Sequence, residues 1–379
     1  MHLLIPVISI LFFSSYAVLI IYYRQSWASI PDFEAAENYQ PQTKISIIIP
    51  ARDEEQNIRD CLDSIVSQSY PKHLFEVLVV DDHSTDNTAA IILRYEQQNV
   101  KLISLKAFLN DNEINSYKKK AIEIAIQQSN GELVITTDAD CRTPPGWLNT
   151  IAAYYQQNNA AFIAMPVGYD RTKNFLGIFQ SLDFMTLQGI TGAAVDKKVH
   201  SMCNGANLAY QKRAYEEAGG FKGIDSIASG DDMLLMHKIF TLFPSRVFFL
   251  KSKKVIVYTQ AVDTLKGFIN QRIRWASKAD KYDDKRIFAV LLLVYFFNVW
   301  IFALGILSIF YPLIFQFIYL LAAKTILELL FLYPVAGFFD NRKLLWWFPI
   351  AQPLHVVYTM VAGWLGKFGK YTWKERTVK

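Results

Sequence analysis

Apolar residues follow two different patterns along this chain. Charge-free apolar runs occupy residues 3–23 and much of the chain from Ile287 onward, whereas the residues between them alternate short apolar runs with segments of helical periodicity. A helix needs about 20 apolar residues to cross a bilayer. We therefore predict a membrane anchor over residues 1–24, a polar linker over 25–43 and membrane-embedded helices over 287–366.

The middle of the chain repeats a strand-then-helix pattern. Short apolar runs typical of buried strands alternate with segments whose apolar residues recur every three or four positions. The predicted strands are 45–49, 75–80, 100–105, 133–137 and 160–167, and the predicted helices include 54–68, 88–97 and 118–128. This alternation predicts a parallel sheet with helices on both faces, hence a Rossmann-like α/β domain over 44–260. Neither G-x-G-x-x-G nor G-x-x-x-x-G-K-[ST] occurs, which argues against a dinucleotide dehydrogenase and a P-loop NTPase.

Composition narrows the class of protein further. Hydrophobic residues make up 52% of the chain and charged residues 19%, with a formal net charge of +5. The basic residues flank the apolar segments, which indicates charge that orients a membrane protein and not a nucleic-acid-binding surface. The three cysteines are far apart and predict neither a disulfide framework nor a zinc site. Arg24 follows the first apolar run, so the positive-inside rule places the next domain in the cytoplasm.

Acidic residues follow three of the predicted strands. They are Asp53 and Glu54 after the first strand, Asp81 and Asp82 after the second, and Asp138 and Asp140 after the strand 133–137. The carboxyl ends of parallel strands meet at one edge of a sheet, so these acids are expected to converge. Clustered carboxylates repel one another unless a cation lies among them, and oxygen ligands suit Mg²⁺ or Mn²⁺. Independent strand-end turns are the structural alternative.

Two segments allow both a structural and a functional interpretation. Residues 229–232 precede an apolar helix, where Ser229 could be the N-cap. A carboxylate of Asp231 or Asp232 could instead accept the proton of an attacking hydroxyl as a general base. Gly205 lies in a run of small residues, which is either a plain tight turn or a place where the backbone approaches a ligand.

The segment 261–286 is basic and amphipathic. Gln271, Arg274 and Trp275 share one helical face. An arginine beside an amide can bind a diphosphate in bidentate fashion, and tryptophan offers a flat surface for a sugar. The alternative is a helix that lies in the membrane interface through its Trp and basic residues. The two interpretations are compatible.

The C-terminal region contains three apolar stretches, 287–310, 312–339 and 344–365. Lys324 and Glu328 lie four residues apart in the second, and in lipid such charges should face protein and pair. If all three stretches crossed the membrane, the basic tail 367–379 would lie outside the cytoplasm, against the positive-inside rule. The third stretch is interrupted by two prolines, so we predict that it is re-entrant or interfacial.

Five short motifs stand in order along the chain. Residues 50–55 resemble P-A-R-N-E-E, and residues 79–86 resemble V-D-D-x-S-x-D. Residues 138–140 are a D-x-D, residues 230–235 resemble G-E-D-x-x-L, and residues 271–275 are a Q-x-x-R-W. Together they resemble the membrane-bound family 2 glycosyltransferases of the GT-A fold, the clan of cellulose, hyaluronan and poly-N-acetylglucosamine synthases and ceramide glucosyltransferase. Asp53 stands where Asn is usual, and Asp231 stands where Glu is usual.

The resemblance implies inverting hexosyl transfer from a nucleotide-sugar, with UDP the expected nucleotide. It assigns donor binding to Pro50, Ala51, Asp53, Glu54, Asp81, Asp82, Asp138 and Lys120, the last from the run 118–120 that resembles the family's G-K-x-x-A-L segment. Asp140, assisted by Asp138, is expected to hold Mg²⁺ or Mn²⁺. Asp232, or else Asp231, is the expected base. Gln271 and Arg274 are expected to bind the diphosphate, and Trp275 to line the acceptor site.

The acceptor is expected to be a membrane lipid or a lipid-linked glycan, because few helices tether the catalytic domain. A processive polysaccharide synthase is the alternative enzyme. A catalytically dead membrane scaffold is the alternative from another class, and it would not need the clustered acids. The expected location is the cell's inner (plasma) membrane, with the catalytic domain in the cytoplasm.

Overall fold

The computed structural model describes residues 4–109, 116–170, 172, 174–199, 203–227, 230–277, 285–368, 371–373 and 376–378. Ser229 of the predicted cap, residues 278–284 of the predicted interfacial segment and part of the predicted basic tail lie outside these described residues. The chain divides into two compact units. We call residues 30–170 and 201–260 the sheet unit, and residues 1–29, 171–200 and 261–379 the helical unit.

The described residues form eleven strands. In chain order they are β1 Ile45–Ala51, β2 Phe75–Asp81, β3 Val100–Ser104, β4 Leu133–Thr136, β5 Phe162–Ala164, β6 Val167–Tyr169, β7 Leu208–Gln211, β8 Val247–Phe249, β9 Val257–Thr259, β10 Tyr371–Trp373 and β11 Arg376–Val378. The main sheet of the sheet unit has the order β3-β2-β1-β4-β7-β5-β8. Strands β6 and β9 pair in a small separate sheet.

The described residues also form twelve α-helices. They are α1 Leu4–Ser29, α2 Ile58–Val66, α3 Thr88–Leu93, α4 Tyr117–Gln128, α5 Trp147–Asn158, α6 Phe175–Lys197, α7 Lys212–Glu217, α8 Met233–Leu242, α9 Leu265–Ala276, α10 Lys285–Phe310, α11 Ile314–Phe338 and α12 Phe348–Phe368. Helices α2–α5, α7 and α8 belong to the sheet unit, and the others belong to the helical unit.

The sheet is parallel where the sequence repeats strand and helix. Strand β1 pairs in parallel with β2 and β4, and β2 pairs in parallel with β3. Strand β1 is apolar at successive positions, and Ile47, Ile48 and Ile49 are fully buried, as expected for a strand covered on both faces. The prediction of a wholly parallel sheet is wrong at β7, which runs antiparallel to β4 and β5. No short strand–helix–strand unit connects β4 to β7, so the usual crossover rule does not apply there.

The predicted strand 160–167 is two strands in different sheets. Strand β5 ends at Ala164 in the main sheet, and β6 begins at Val167 in the small sheet. Pro166 lies between them and has no N–H for a sheet ladder.

Helix α6 has no counterpart among the predicted elements. Most of its 23 residues are buried, including Gly177, Leu182 and Ala193, so buried residues lie on every side of the helix. A helix of this kind lacks the amphipathic periodicity that marks a surface helix. The linker prediction is also corrected, because α1 continues to Ser29, with Trp27 buried against the ring of Phe338.

Three described helices, α1, α10 and α11, are long and apolar enough to cross a membrane. The predicted pairing of Lys324 and Glu328 within α11 is present, with Nζ 2.7 Å from Oε1. Both side chains are buried. Tyr16 of α1 and Gln352 of α12 also donate hydrogen bonds to the Glu328 carboxylate. The charges therefore face protein, as a membrane environment requires.

Candidate active site

The loops that follow β1 and β2 hold each other through hydrogen bonds. Asp53 Oδ1 accepts a bond from the Thr85 N–H at 2.8 Å, and the Asp53 N–H donates to Ser84 Oγ at 3.0 Å. The Glu54 N–H donates to Thr88 Oγ1 at 2.8 Å. Asp53 has a φ of 49°, in the left-handed region that Asn and Asp tolerate best among residues with a side chain. Asp therefore suits this position, where Asn is usual in the family.

The predicted donor residues Pro50, Ala51, Asp81 and Asp82 lie side by side at the ends of two strands. Ala51 and Asp81 are paired in the register of β1 and β2. The Asp82 N–H donates to the Ala51 carbonyl at 2.8 Å. The Asp82 side chain is buried, and its Oδ1 lies 2.9 Å from Nδ1 of His83. These contacts fix the backbone at the carboxyl edge of the sheet.

Asp138 and Asp140 follow β4 at the same edge. Burial, and then the charges of Asp138 and Glu54, raise the pKa of Asp140 to about 6. Hydrogen bonds from Thr259 and Cys141 to the Asp140 carboxyl oppose this shift. A buried carboxyl beside other carboxylates is a place where a bound cation would relieve repulsion. The acids from β1 and β4 therefore act on one another, as the sequence predicts.

Lys118, at the start of α4, links the D-x-D to the acid pair before α8. Its Nζ donates to Asp138 Oδ1 at 2.7 Å and lies 3.3 Å from Asp231 Oδ2. Burial alone would lower the pKa of Lys118, but the charges of Asp138, Asp231 and Asp232 raise it above its usual value. The ammonium group therefore stays charged and draws the two acidic segments together.

Asp232 is both a helix cap and a member of this acid cluster. Its Oδ1 accepts from the Met233 N–H at 2.7 Å, and its Oδ2 accepts from the Gly205 N–H at 3.1 Å. A methyl group on Gly205 would lie 3.2 Å from Asp231 Oδ2 and 3.3 Å from Lys118 Nζ. The glycine therefore permits a close approach of the backbone to these charged groups, and its approach to a ligand stays a prediction.

The three consecutive lysines have three different environments. Lys119 is buried and donates to two backbone carbonyls of the segment 224–227 at 2.6 Å each. Lys120 Nζ is 2.8 Å from Glu123 Oε2 on its own helix. Lys118 is therefore the lysine at the acids, and the contacts of Lys120 lend no support to its predicted role in donor binding.

The acidic edge fits a divalent cation whose other ligands come from a substrate. Among the described residues, no group of three or more His, Cys, Asp or Glu side chains could hold a metal ion. Burial, and then the charges of Asp140 and Asp138, raise the pKa of Cys61 and of Cys141, so both thiols are neutral and poor ligands. Asp138 and Asp140 remain, and Mg²⁺ commonly binds one or two carboxylates together with phosphate oxygens.

Gln271, Arg274 and Trp275 lie half-buried on α9 in the helical unit. The guanidinium carbon of Arg272 lies 4.1 Å from the centre of the Trp275 ring, and the Phe184 ring lies 6.0 Å from the Trp275 ring. The sequence prediction overlooked Arg272, because it stands at an unspecified position of Q-x-x-R-W. It also overlooked Thr259, whose bond to Asp140 comes from a strand far away in sequence.

A mixed α/β sheet with a D-x-D at its carboxyl edge and a second acid cluster beside it fits the predicted GT-A fold. The family model "Glycosyl transferase family 2" matches residues 46–219. The family model "Glycosyl transferase family group 2" matches residues 133–365, which is more than half of the chain. The chain therefore belongs to the family 2 glycosyltransferases.

Individual relatives agree with this assignment. The chain is 27% identical over 251 residues to the probable glycosyltransferase YdaM of Bacillus subtilis, covering 63% of this chain and 56% of that protein. It is 24% identical over 252 residues to the poly-beta-1,6-N-acetyl-D-glucosamine synthase of Staphylococcus epidermidis, covering 63% and 55%. The chain thus spans about half the length of these curated relatives.

The fold is shared with a solved structure, the mannosyltransferase PcManGT from Pyrobaculum calidifontis in complex with GDP-Man and Mn²⁺. The TM-score is 0.60 at 19% identity, and the match covers 96% of this chain and 99% of that one. The predicted GT-A fold is confirmed.

Proposed function

We propose that this chain transfers a hexose with inversion from a UDP-sugar to a hydroxyl group of a membrane lipid or lipid-linked glycan. The observation that carries the proposal is the cluster of acids at the carboxyl edge of the sheet, held together by Lys118. The same chain supplies three helices apt to cross a membrane, which favours an acceptor in the bilayer.

Asp232 is the proposed general base. The acceptor oxygen attacks C1 of the sugar and forms the new C–O bond, while the bond between C1 and the diphosphate oxygen breaks and the diphosphate leaves with that electron pair. The carboxylate takes the hydroxyl proton during the attack. The N–H groups of Gly205 and Met233 orient the Asp232 carboxylate. Asp231 is the alternative base, and its position is tied to Lys118.

Asp140 and Asp138 are the proposed ligands of Mg²⁺ or Mn²⁺. A divalent cation bound there would neutralise charge that develops on the leaving diphosphate. Burial, and then repulsion from Asp138 and Glu54, raise the pKa of Asp140, and a bound cation would relieve both effects, which supports this assignment. PcManGT, which has the same fold, was solved with Mn²⁺.

The two loops that follow β1 and β2 are the proposed site of the nucleotide. They contain Pro50–Glu54, Asp81 and Asp82, and the hydrogen bonds between them fix the relative position of their backbones. The assignment of Gln271 and Arg274 to the diphosphate and of Trp275 to the acceptor rests on the Q-x-x-R-W resemblance and stays a prediction.

A single transfer to a lipid is favoured over polymer synthesis by the packing of the spanning helices. The ring of Tyr16 lies 4.9 Å from that of Phe297, and Phe12 contacts Phe297 and Trp300. Phe297 is fully buried. Side chains therefore fill the space between α1 and α10. The similarity to the Staphylococcus synthase keeps polymer synthesis as the second candidate.

The direct test is nucleotide release by the purified protein in lipid nanodiscs, with UDP-glucose, UDP-galactose, UDP-N-acetylglucosamine and GDP-mannose, Mn²⁺ and total lipid extract. We expect a product one sugar heavier than a lipid, identified by mass spectrometry. A ladder of sugar oligomers would replace the single-transfer proposal with polymer synthesis. Release of no nucleotide from any donor would contradict the proposed function.

Lys118 and Lys120 form a matched pair for testing the acid cluster. We expect Lys118→Gln to lower kcat/KM about 10²-fold, because Lys118 makes charge-assisted contacts with two site acids, Asp138 and Asp231, and both contacts are lost. Lys120→Gln should stay within about twofold, because its partner Glu123 is a half-exposed acid on its own helix and is not one of the site acids. Steady-state nucleotide release measures both variants, and equal effects would reject the assignment of Lys118.

The depth of α12 bears on the membrane topology. Gln352 of α12 and Tyr16 of α1 donate to the same carboxylate, that of Glu328 in α11, and Tyr16 packs on Phe297 of α10. The start of α12 therefore lies at the same depth along the three spanning helices as Tyr16, Phe297 and Glu328.

The C-terminal part of α12 lies at nearly the same depth along the spanning helices. Gly363 approaches the ring of Tyr295 in α10 so closely that a methyl group on this glycine would lie 2.8 Å from it. Tyr295 is only two residues from Phe297, whereas a helix rise of about 1.5 Å per residue separates Gln352 from Gly363 by about 16 Å. Helix α12 therefore runs across the spanning helices and not along them.

One face of α12 is apolar and exposed along its length, at Ile350, Leu354, Val357, Val361, Trp364 and Phe368. Such a helix suits the membrane interface, with this face in the acyl region. We propose three crossings, with α12 in the interface. The basic residues next to α1, α10 and α11, namely Arg24, Lys285 and Arg342, then all lie on the cytoplasmic side.

Reporter fusions test this topology. Green fluorescent protein joined after Lys379 should fluoresce, and alkaline phosphatase at the same position should be inactive, because a three-crossing protein keeps its tail in the cytoplasm. Phosphatase inserted at 311–313, between α10 and α11, should be active. An active phosphatase after Lys379 would show that α12 crosses the membrane.

A further inference from the structure

Two charged side chains pair in the interior of the helical unit. Asp183 of α6 and Arg272 of α9 lie 2.7 Å apart, between Oδ2 and Nη2, and their side chains are only 5% and 2% exposed. Burying such a pair removes hydration from both charges, and hydrophobic residues of similar volume often give equal stability. Stability alone is therefore a weak reason for this pair.

Three helices of the unit meet at the Asp183 carboxylate. The Tyr358 hydroxyl of α12 donates to Asp183 Oδ1 at 3.2 Å, and Nε2 of His355 lies 3.6 Å from the same oxygen. The segment before α9 is fixed to α6 as well, since Gln180 and Val262 exchange two hydrogen bonds of 2.8 and 3.0 Å. The carboxylate therefore has a defined position relative to α9.

Arg272 transmits this position to an aromatic side chain. Its guanidinium carbon lies 4.1 Å from the centre of the Trp275 ring and 4.9 Å from that of Phe268. The guanidinium is a rigid plane that stacks on aromatic faces, which lysine cannot reproduce. One side of the Trp275 indole therefore rests on a group whose own place is set by Asp183.

We propose that Asp183 and Arg272 are positioning residues that fix the Trp275 indole for the sugar acceptor. The proposal rests on the proposed function, in which Trp275 lines the acceptor site. Arg272 acts through the indole, and Asp183 acts through Arg272. Loss of either group should change acceptor binding and leave donor binding unaffected.

The first measurement needs no enzyme activity. Protein labelled with 5-fluorotryptophan is examined by fluorine NMR in nanodiscs, with Trp275→Phe identifying the Trp275 resonance. Arg272→Lys and Asp183→Asn should shift that resonance. Arg342→Lys is the matched control, because Arg342 stacks on Tyr333 in the same unit at 4.7 Å, and it should leave the resonance in place. An unmoved resonance in Arg272→Lys would overturn the positioning role.

The second measurement separates binding from turnover. We expect Arg272→Lys to raise the KM for acceptor about tenfold, which matches the loss of one desolvated cation–π contact. The KM for the donor and kcat at saturating acceptor should stay within about twofold, and Arg342→Lys should match the wild type. Parallel rises in both KM values would indicate a merely structural pair and overturn the proposal. A shifted resonance with an unchanged acceptor KM would reject Trp275 as an acceptor residue. If the wild-type protein shows no acceptor-dependent release of nucleotide, the proposed function itself is contradicted.

Discussion

Asp140→Asn should fold normally and transfer sugar at least about 10³-fold more slowly than the wild type. The variant lacks the carboxylate that we assign to the divalent cation, and neutralisation of a leaving diphosphate accounts for several kcal/mol of barrier. Each tenfold change in rate corresponds to about 1.4 kcal/mol. Initial rates of nucleotide release at saturating donor and Mn²⁺ measure the effect.

The stability of Asp140→Asn should change in the opposite direction to its activity. The pKa of Asp140 is raised to about 6 in the folded protein, so folding disfavours its ionised form. An acid whose pKa is raised by folding destabilises the folded state when it ionises. The destabilisation develops as the pH rises from about 4, the pKa of aspartate in the unfolded chain, through 6, and it is complete at pH 7.5. Asn removes this charge, so Tm without metal should be equal to or higher than that of the wild type.

Asp63→Asn is the control for this experiment. Asp63 lies on α2 in the same unit and accepts a hydrogen bond from the Tyr95 hydroxyl at 2.6 Å. Its loss should lower Tm slightly and leave the rate within about twofold. Transfer by Asp140→Asn at a wild-type rate would reject the metal assignment, whereas a large fall in Tm would show that Asp140 has a structural role.

Asp232→Asn should lower kcat by about 10²–10⁴-fold, the usual contribution of a general base. Asparagine caps a helix about as well as aspartate, so α8 should keep its N-terminus, and Tm should fall only modestly through loss of the bond from the Gly205 N–H. The amide oxygen can still accept from the Met233 N–H, but the amide cannot take a proton from the acceptor. Kinetics at saturating donor and acceptor, with thermal unfolding in parallel, separate the base from the cap.

Asp231→Asn decides between the two acids. Its carboxylate lies 3.3 Å from Lys118 Nζ, so its loss weakens the link to the D-x-D segment and should reduce the rate by about tenfold. If Asp231→Asn instead shows the larger loss of kcat, Asp231 is the base and Asp232 is mainly the cap. Equal, small effects in both variants would reject an acid of this pair as the base.

The sequence predicts the parts of the site that depend on local pattern. Asp81, Asp82, Asp138 and Asp140 follow apolar strands, and parallel pairing of those strands brings the acids to one edge without further information. Helix α6 could not be predicted in this way, because its buried residues lie on every side and the helix has no amphipathic period.

Other details depend on the direction in which a side chain leaves its helix and on contacts between residues that are far apart in the sequence. Each step along α4 turns the side chain by about 100°, so Lys118 reaches the acids while Lys120 meets Glu123. A run of like charges does not reveal which member faces inward. The bond from Thr259 to Asp140 and the pair of Asp183 with Arg272 join residues from separate parts of the chain, and no local pattern marks them.

The hydrogen bonds between the loops after β1 and β2 have a consequence for how the product would inhibit the enzyme. If these loops hold the nucleotide, the hydrogen bonds of Asp53 and Glu54 hold their backbones together around it. A rigid site of this kind recognises the part that substrate and product share, and such uniform binding does not accelerate the chemical step. The nucleoside diphosphate product would then compete with the nucleotide-sugar donor for this site, and the two would bind with similar affinity. Flux in the cell would follow the donor-to-diphosphate ratio, and any enzyme that destroys the diphosphate would act as an activator.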